Sequence, residues 1–356
     1  MSESTDRAAP LGLVVGSPRS GTTLAMRLLL EVDAISGPPL ETHFFDFALP
    51  LLAAHRGPYY PRDDVARVMD AYARSYWLDG SGVDPRGLLD AVTPGSAVWL
   101  PYVFRKLVES LASGDALALV EKTPQHLWSW PVAALDNSVK FVLFVRDPRA
   151  VVESTVRVGW EDSLEAALRW REAQREIVRV QKALTPAHAR LFRYEDVVSD
   201  PQSFRVAVCE FLGLEREHAA CRHVIRSHDL FLGREEPVKQ QALGAIDASR
   251  LSQWKTHLAD DETADIEAVC GPLMEAFGYQ RASKRSAKPD VSRIRTALRV
   301  HAEVARIRRD ALRASGDHHR LLSTMLALQY KGPKGYWDSF RYRMSRLRSM
   351  KPGAVT

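Results

Sequence analysis

One loop near the start of the chain narrows the possible folds more than any other feature. Residues 11–16 read Leu-Gly-Leu-Val-Val-Gly. The run is apolar, too short for a helix and bounded by Gly and Pro, which is the pattern of a buried strand. Ser17-Pro18-Arg19-Ser20-Gly21-Thr22-Thr23 follows, and Leu24, Met26, Leu28, Leu29 and Leu30 then mark a helix that fades at Gly37-Pro38-Pro39. Gly16-x-x-x-x-Gly21-Thr22-Thr23, set between a strand and a helix, has the frame of a phosphate-binding loop. Glycine permits the tight turn, and the helix N-terminus offers free N–H groups and partial positive charge to an anion. The Lys that loops for triphosphate hydrolysis place before Ser/Thr is absent; Thr22 stands there. Arg19, inside the loop, supplies the positive charge instead.

The rest of the chain extends this start into a layered α/β fold. Apolar runs predict further strands over 116–120, 139–145 and about 189–193. Helical patterns lie near 61–78, 97–112, 148–158, 163–184 and 201–213. Strands alternating with helices predict a parallel sheet with right-handed crossovers. Arg19, Lys122, Arg146 and Tyr194 follow the C-terminal ends of the four strands, the edge where open parallel sheets bind ligands.

Charge divides the 356 residues unevenly. The whole chain carries +5, but residues 281–356 hold 19 Lys or Arg against 5 Asp or Glu, a net of +14. The first 280 residues therefore carry −9. We expect a flexible N-terminus over 1–10, a catalytic domain over 11–280 and a basic helical extension over 281–356. Within the extension Val300, Val304, Ile307 and Ala311 form a helical stripe, and 281–290 reads as a linker. Three cysteines, Cys209, Cys221 and Cys270, fit neither a disulfide framework nor a zinc site and suggest a reducing compartment. The polar start lacks the features of a secretory signal, and no apolar run approaches a membrane span of about 20 residues. The expectation is a cytoplasmic protein, with room for contact at the inner face of a membrane. His218, His223 and His228, five residues apart, are wrongly spaced for one helix face, so no metal site is expected.

Four motifs then point to one family. Ser17-Pro18-Arg19-Ser20-Gly21-Thr22-Thr23-Leu24 resembles the 5′-phosphosulfate loop of sulfotransferases that use 3′-phosphoadenosine 5′-phosphosulfate (PAPS). The segment from Phe144 to Ser154 resembles their 3′-phosphate motif, with Arg146 and Ser154 eight residues apart. Glu121-Lys122-Thr123-Pro124 and Arg193-Tyr194-Glu195-Asp196 also recur in that family. The matches run in the expected order over about 11–255. They are nearer the bacterial and Golgi tyrosylprotein type, with Pro-Arg-Ser-Gly-Thr-Thr, than the cytosolic phenol type, which has Lys where Arg19 stands.

The resemblance implies a PAPS-dependent sulfotransferase with PAP as product, no metal requirement and the P-loop-like sulfotransferase fold. Sulfuryl transfer, like phosphoryl transfer, depends on positioning and charge stabilisation around an in-line displacement. Pro18, Arg19, Ser20, Gly21, Thr22 and Thr23 would hold the 5′-phosphosulfate, and Arg146 with Ser154 the 3′-phosphate, since an Arg fork matches phosphate oxygens. Tyr194 would contact the nucleotide or close the sheet edge. Ser249–Lys255, with Arg250, resembles the late segment that closes over the 3′-phosphate and adenine. Lys122 would stabilise charge on the moving sulfuryl group or the bridging oxygen. Glu41 is the candidate base, in Pro38-Pro39-Leu40-Glu41-Thr42-His43, and His43 is the alternative. Residues 44–115, rich in aromatics such as Tyr59, Tyr60, Tyr72, Tyr76, Trp77, Trp99 and Tyr102, are expected to line the acceptor pocket. A carbohydrate or glycolipid hydroxyl is the favoured acceptor, with a phenol or tyrosyl group as the other. A P-loop kinase is disfavoured by Thr22 and by the lack of a magnesium-binding acidic strand end beyond Asp147. A nucleic-acid-binding role for the tail is disfavoured by its sparse aromatics. The tail is expected instead to pack on the acidic core, pair with a second copy or rest on an anionic membrane surface.

Overall fold

The computed structural model describes residues 8–52, 59–75, 77–78, 80–92, 95–221, 244–283 and 289–299. Its centre is a five-stranded parallel sheet in the order β2-β5-β1-β6-β7. The strands are β1 (Leu11–Gly16), β2 (Ile35–Ser36), β5 (Ala118–Glu121), β6 (Val139–Val145) and β7 (Ala189–Arg193). A separate antiparallel pair joins β3 (Tyr59–Pro61) to β4 (Ala97–Trp99). β1 is buried along its whole length because it lies between β5 and β6. A central parallel strand covered on both faces needs a continuous apolar run, which is how residues 11–16 read. Helices α1 (Thr22–Leu30), α2 (Phe44–Leu51), α3 (Arg62–Ala73), α4 (Pro85–Val92), α5 (Leu100–Leu111) and α6 (Trp130–Ala133) belong to the first part of the chain. They are followed by α7 (Pro148–Arg157), α8 (Ser163–Ala183), α9 (Tyr194–Ser199), α10 (Pro201–Leu212), α11 (Trp254–His257) and α12 (Asp260–Ala276).

Alternation along the strands builds two cores. Leu11, Leu13, Val15, Phe141 and Leu143 face one side, where they meet Phe44, Phe45 and Phe104. Val14, Val142 and Phe144 face the other, against Leu24, Leu28, Phe204 and Val208. A third cluster gathers Val145, Val151, Trp170 and Ile266 beneath α7, α8 and α12.

Several boundaries move for local reasons. The helix expected from residue 97 begins at Leu100, because 97–99 pair with 59–61. The strand expected over 116–120 runs from Ala118 to Glu121, which carries Glu121 into the sheet. β2 has two residues and shows no period in the sequence. At the C-terminal side, the described part of the expected linker is bonded to α12. Glu267 accepts from the backbone N–H groups of Ala282 and Ser283, at 2.8 and 3.2 Å. Residues 291–299 are helical, and Ile294, Ala297 and Leu298 pack on the third cluster. Val300, Val304, Ile307 and Ala311 lie outside the described residues, as do Tyr76, His223 and His228.

Two glycines set the shape of the loop. Gly16 lies so close to Phe144 O that a side chain has no room. Gly21 adopts φ 101°, and a Cβ there would collide with the ring of Tyr194. Gly213 has φ 86° with open space around it, so it isolates the conformational cost from the collision. Gly21→Ala is expected to lower the melting temperature by clearly more than Gly213→Ala, whose cost is about 1–2 kcal/mol. Equal shifts by calorimetry would mean that the contact with Tyr194 does not constrain the loop.

Candidate active site

The C-terminal ends of β1, β5, β6 and β7 meet at one cleft. Its walls include Pro18, Arg19, Gly21, Thr22, Thr23, Glu41, Gln125, Arg146, Ser154, Trp160, Tyr194 and Arg250. A hollow of about 430 Å³ at the outer side of β7, lined by Gln181, Leu184 and Arg190 among others, holds none of the expected site residues.

The loop turns through a Ser20 N–H to Ser17 O bond of 3.1 Å, and Arg19 adopts φ 70°. Gly21 is the N-cap of α1 and no side chain caps the first N–H groups of the helix, so these stay available to an anion. Ser20 contributes backbone alone: its hydroxyl is buried against β1 with no hydrogen-bond partner among the described residues.

Two arginines define the anionic side of the cleft. Arg19 Nε donates to Ser154 Oγ at 3.2 Å, and its guanidinium lies 5.2 Å from the Trp160 ring centre. Arg146 donates to the carbonyls of Arg19 and Arg250, both at 3.2 Å, and lies 4.3 Å from the Tyr194 ring centre. Among the described residues neither has a carboxylate within ion-pair distance, and Arg146 Nε is buried without a partner. Asp147 does not pair with Arg146; it is held by Arg149. Burial, then the nearby charges of Arg146, Arg157 and Arg169, lower the Arg19 pKa to about 10 against the opposing pull of Glu41. Concentrated, uncompensated positive charge of this kind calls for an anion.

Opposite the arginines stands a chain of alternating charges. Lys122 Nζ lies 3.5 Å from Thr23 Oγ1 and forms an ion pair with Glu41 Oε1. It does not pair with its chain neighbour Glu121. Glu41 Oε2 lies 3.1 Å from His43 Nε2, and His43 Nδ1 lies 2.9 Å from Asp46 Oδ2. The His43 ring stacks on Trp77 with 3.6 Å between centres. Burial disfavours the charged imidazole, but hydrogen bonds to Asp46 and Glu41 outweigh it and raise the His43 pKa to about 9. Glu41 is on the cleft wall, whereas His43 is 2% exposed with both ring nitrogens engaged.

A second, wholly buried network holds this segment in place. Glu121 accepts from Thr42 N at 3.2 Å, Thr42 Oγ1 at 2.9 Å and Thr123 Oγ1 at 2.5 Å. Its other oxygen lies 3.1 Å from His126 Nδ1. Phe45 N–H donates to His126 Nε2, which places the His126 proton on Nδ1, facing Glu121. Burial favours the neutral acid, but the His126 ring and the two threonines outweigh it and hold Glu121 below the usual carboxylate range. Tyr72 closes the network with a 2.6 Å bond to Thr42 O. Sequence reasoning passed over Asp46, His126 and Trp160, quoted Glu121 and Thr42 within motifs without giving them a role, and expected Tyr72 and Trp77 in the acceptor pocket, whereas Tyr72 bonds Thr42 O and Trp77 stacks on His43. The single available signal was the polar residue Glu121 at the end of an apolar strand. Among the described residues no group of His, Cys, Asp and Glu is placed to hold a metal.

Comparison with known proteins identifies the class. The sulfotransferase family model matches residues 10–218, and the chain belongs to that family. Protein-tyrosine sulfotransferase 1 of Rattus norvegicus is 23% identical over 304 residues, covering 82% of this chain and 76% of its own length. Protein-tyrosine sulfotransferase A of Caenorhabditis elegans is 23% identical over 330 residues, covering 89% of this chain and 80% of its own. The sulfotransferase domain from the curacin biosynthetic pathway has the same fold at a TM-score of 0.50 and 20% identity, over 77% of this chain and 99% of its own. The protein is a PAPS-dependent sulfotransferase with an α/β fold.

The expected cytoplasmic placement is corrected: it is overturned by the relatives of this chain, which are protein-tyrosine sulfotransferases. No described helix is long and apolar enough to cross a membrane.

The charged His43 predicts a pH signature. Its pKa rises from an ordinary 6.5 to about 9 on folding. The stability it contributes is therefore fully present below pH 6.5 and lost as pH rises through about 9. The melting-temperature gap between the wild type and His43→Gln should be widest at about pH 6.5 and narrow as pH rises to about 9.5. A gap independent of pH over that window would contradict a charged His43.

Proposed function

We propose that the enzyme transfers the sulfuryl group of PAPS to a tyrosyl hydroxyl, with Glu41 accepting the hydroxyl proton. The observation that carries this reading is Glu41, on the cleft wall and paired with Lys122, opposite two arginines that have no carboxylate partner among the described residues. PAPS supplies an activated sulfuryl group and two anionic ends. The residues fit such a molecule: the loop and the open α1 N-terminus suit one end, and the orphaned Nε of Arg146 suits the other. Pro18, Arg19, Ser20, Gly21, Thr22 and Thr23 hold the 5′-phosphosulfate in this reading. Arg146 and Ser154 hold the 3′-phosphate, Tyr194 braces Arg146 from below, and Arg250 closes the far wall.

Lys122, between Thr23 and Glu41, stabilises charge on the departing oxygen. Glu41 takes the acceptor proton, and His43 fixes the carboxylate from behind instead of acting as the base. Positioning groups of this kind contribute by holding reactants in line. No metal takes part in the proposed chemistry. A tyrosyl acceptor is supported by the relatives, whose names specify protein tyrosine; the expected carbohydrate or glycolipid acceptor finds no such support. The division into 1–10, 11–280 and 281–356 is retained as a proposal, with the first part of the extension docked on α12.

Glu41→Gln is expected to cut turnover by about 10²–10⁴-fold while PAP affinity stays close to wild type. Turnover near wild type in that variant would move the base role to His43. For the acceptor, labelled PAPS should sulfate a tyrosine-containing peptide in preference to an oligosaccharide. The reverse preference would sink the tyrosyl assignment.

A further inference from the structure

Carboxylates crowd the anion-binding end of the sheet. Asp147 follows Arg146, Glu153 precedes Ser154, and Glu195 follows Tyr194. Left free, any of them would compete with a phosphate for Arg146 or repel it across a poorly screened site. Each is engaged elsewhere. Glu153 Oε1 accepts from Arg157 Nε and lies beside His257 Nδ1, both at 3.0 Å. Glu195 accepts from Asp147 N–H at 3.0 Å and from the Tyr279 hydroxyl at 2.8 Å.

Asp147 is held most completely. Its Oδ1 accepts from the backbone N–H and the Nε of Arg149, both at 2.9 Å, and its Oδ2 accepts from Arg149 Nη2 at 2.7 Å. Arg149 Nη1 continues to Glu267 at 2.7 Å, and the guanidinium lies 4.0 Å from the Trp254 ring centre. Glu267 is itself fixed by Ala282 and Ser283. All three charged groups are buried.

We infer that Arg149 is a positioning residue for the donor nucleotide: its bidentate fork on Asp147 keeps that carboxylate from Arg146 and leaves Arg146 open to a phosphate. The inference rests on reading Arg146 as the 3′-phosphate anchor. The planar guanidinium matters because it takes both carboxylate oxygens at once, which an ammonium does not. Charge balance matters too. Asp147, Arg149 and Glu267 together carry one net negative charge, and without Arg149 they carry two. That second charge sits one residue from the anchor.

PAP affinity measured by calorimetry on the full chain tests this, with melting temperature as the check on folding. Arg149→Gln is expected to weaken PAP about tenfold through the uncompensated Asp147 charge. Asp147→Asn keeps the α7 cap, because Asn caps as well as Asp, and should bind PAP at least as tightly as the wild type. The double variant restores the net charge of the cluster and should recover affinity to within about threefold of wild type. Arg146→Gln tests the underlying reading: unchanged PAP affinity there overturns the phosphate anchor, and the inference with it. If Arg146→Gln weakens PAP while the double variant stays as weak as Arg149→Gln, Arg149 serves packing alone and the inference is wrong. Should Arg149→Gln fail to fold, Asp147→Asn decides. Tighter or equal binding supports the inference, and weaker binding overturns it.

Discussion

The ring of Tyr194 joins the two halves of the anion site. It packs against Gly21 so closely that no other residue fits there, and it supports the guanidinium of Arg146. The loop after β1, the end of β6 and the start of α9 are therefore fixed with respect to one another by one aromatic side chain. A cation over an aromatic face gains about 1–2 kcal/mol when desolvated, and the contact itself uses none of its N–H groups. Arg146 gains support in this way without acquiring the carboxylate that would neutralise it.

The other wall obeys a different constraint. Glu121, Lys122, Glu41, His43 and Asp46 bring ionisable groups into a largely buried region, and a buried charge without a partner is costly. The structure meets this by alternation: Lys122 faces Glu41, Glu41 faces His43 and His43 faces Asp46. Removing one link would leave its neighbour uncompensated, so the segment 41–46 has one arrangement that satisfies every group. Rigid placement of Glu41 follows from the same requirement.

Much of the framework was legible in the chain. β1, β6 and β7 occupy the spans that their apolar runs predicted, and α7, α8 and α10 fall on the helical patterns read near 148–158, 163–184 and 201–213. Arg19, Lys122, Arg146 and Tyr194 do stand at the ends of four neighbouring strands. What escaped notice was pairing over distance. Thr42 meets Glu121 across 79 positions, and Arg19 meets Ser154 across 135. Neither pairing leaves a periodic trace. The short β2, β3 and β4 were equally silent, since two or three residues cannot display a period of two.

The parallel sheet, the glycine-built loop and the cationic residues at the strand ends follow from local pattern and from the steric limits of single residues. Tertiary structure decided which of those charges stay free. Arg146 and Asp147 are neighbours in the chain, as are Glu121 and Lys122, yet neither pair forms. Strand ends and helix starts direct successive side chains apart, so Asp147 is taken by Arg149 and Lys122 by Glu41. Ion pairing depends on direction and burial in three dimensions, which chain order does not encode.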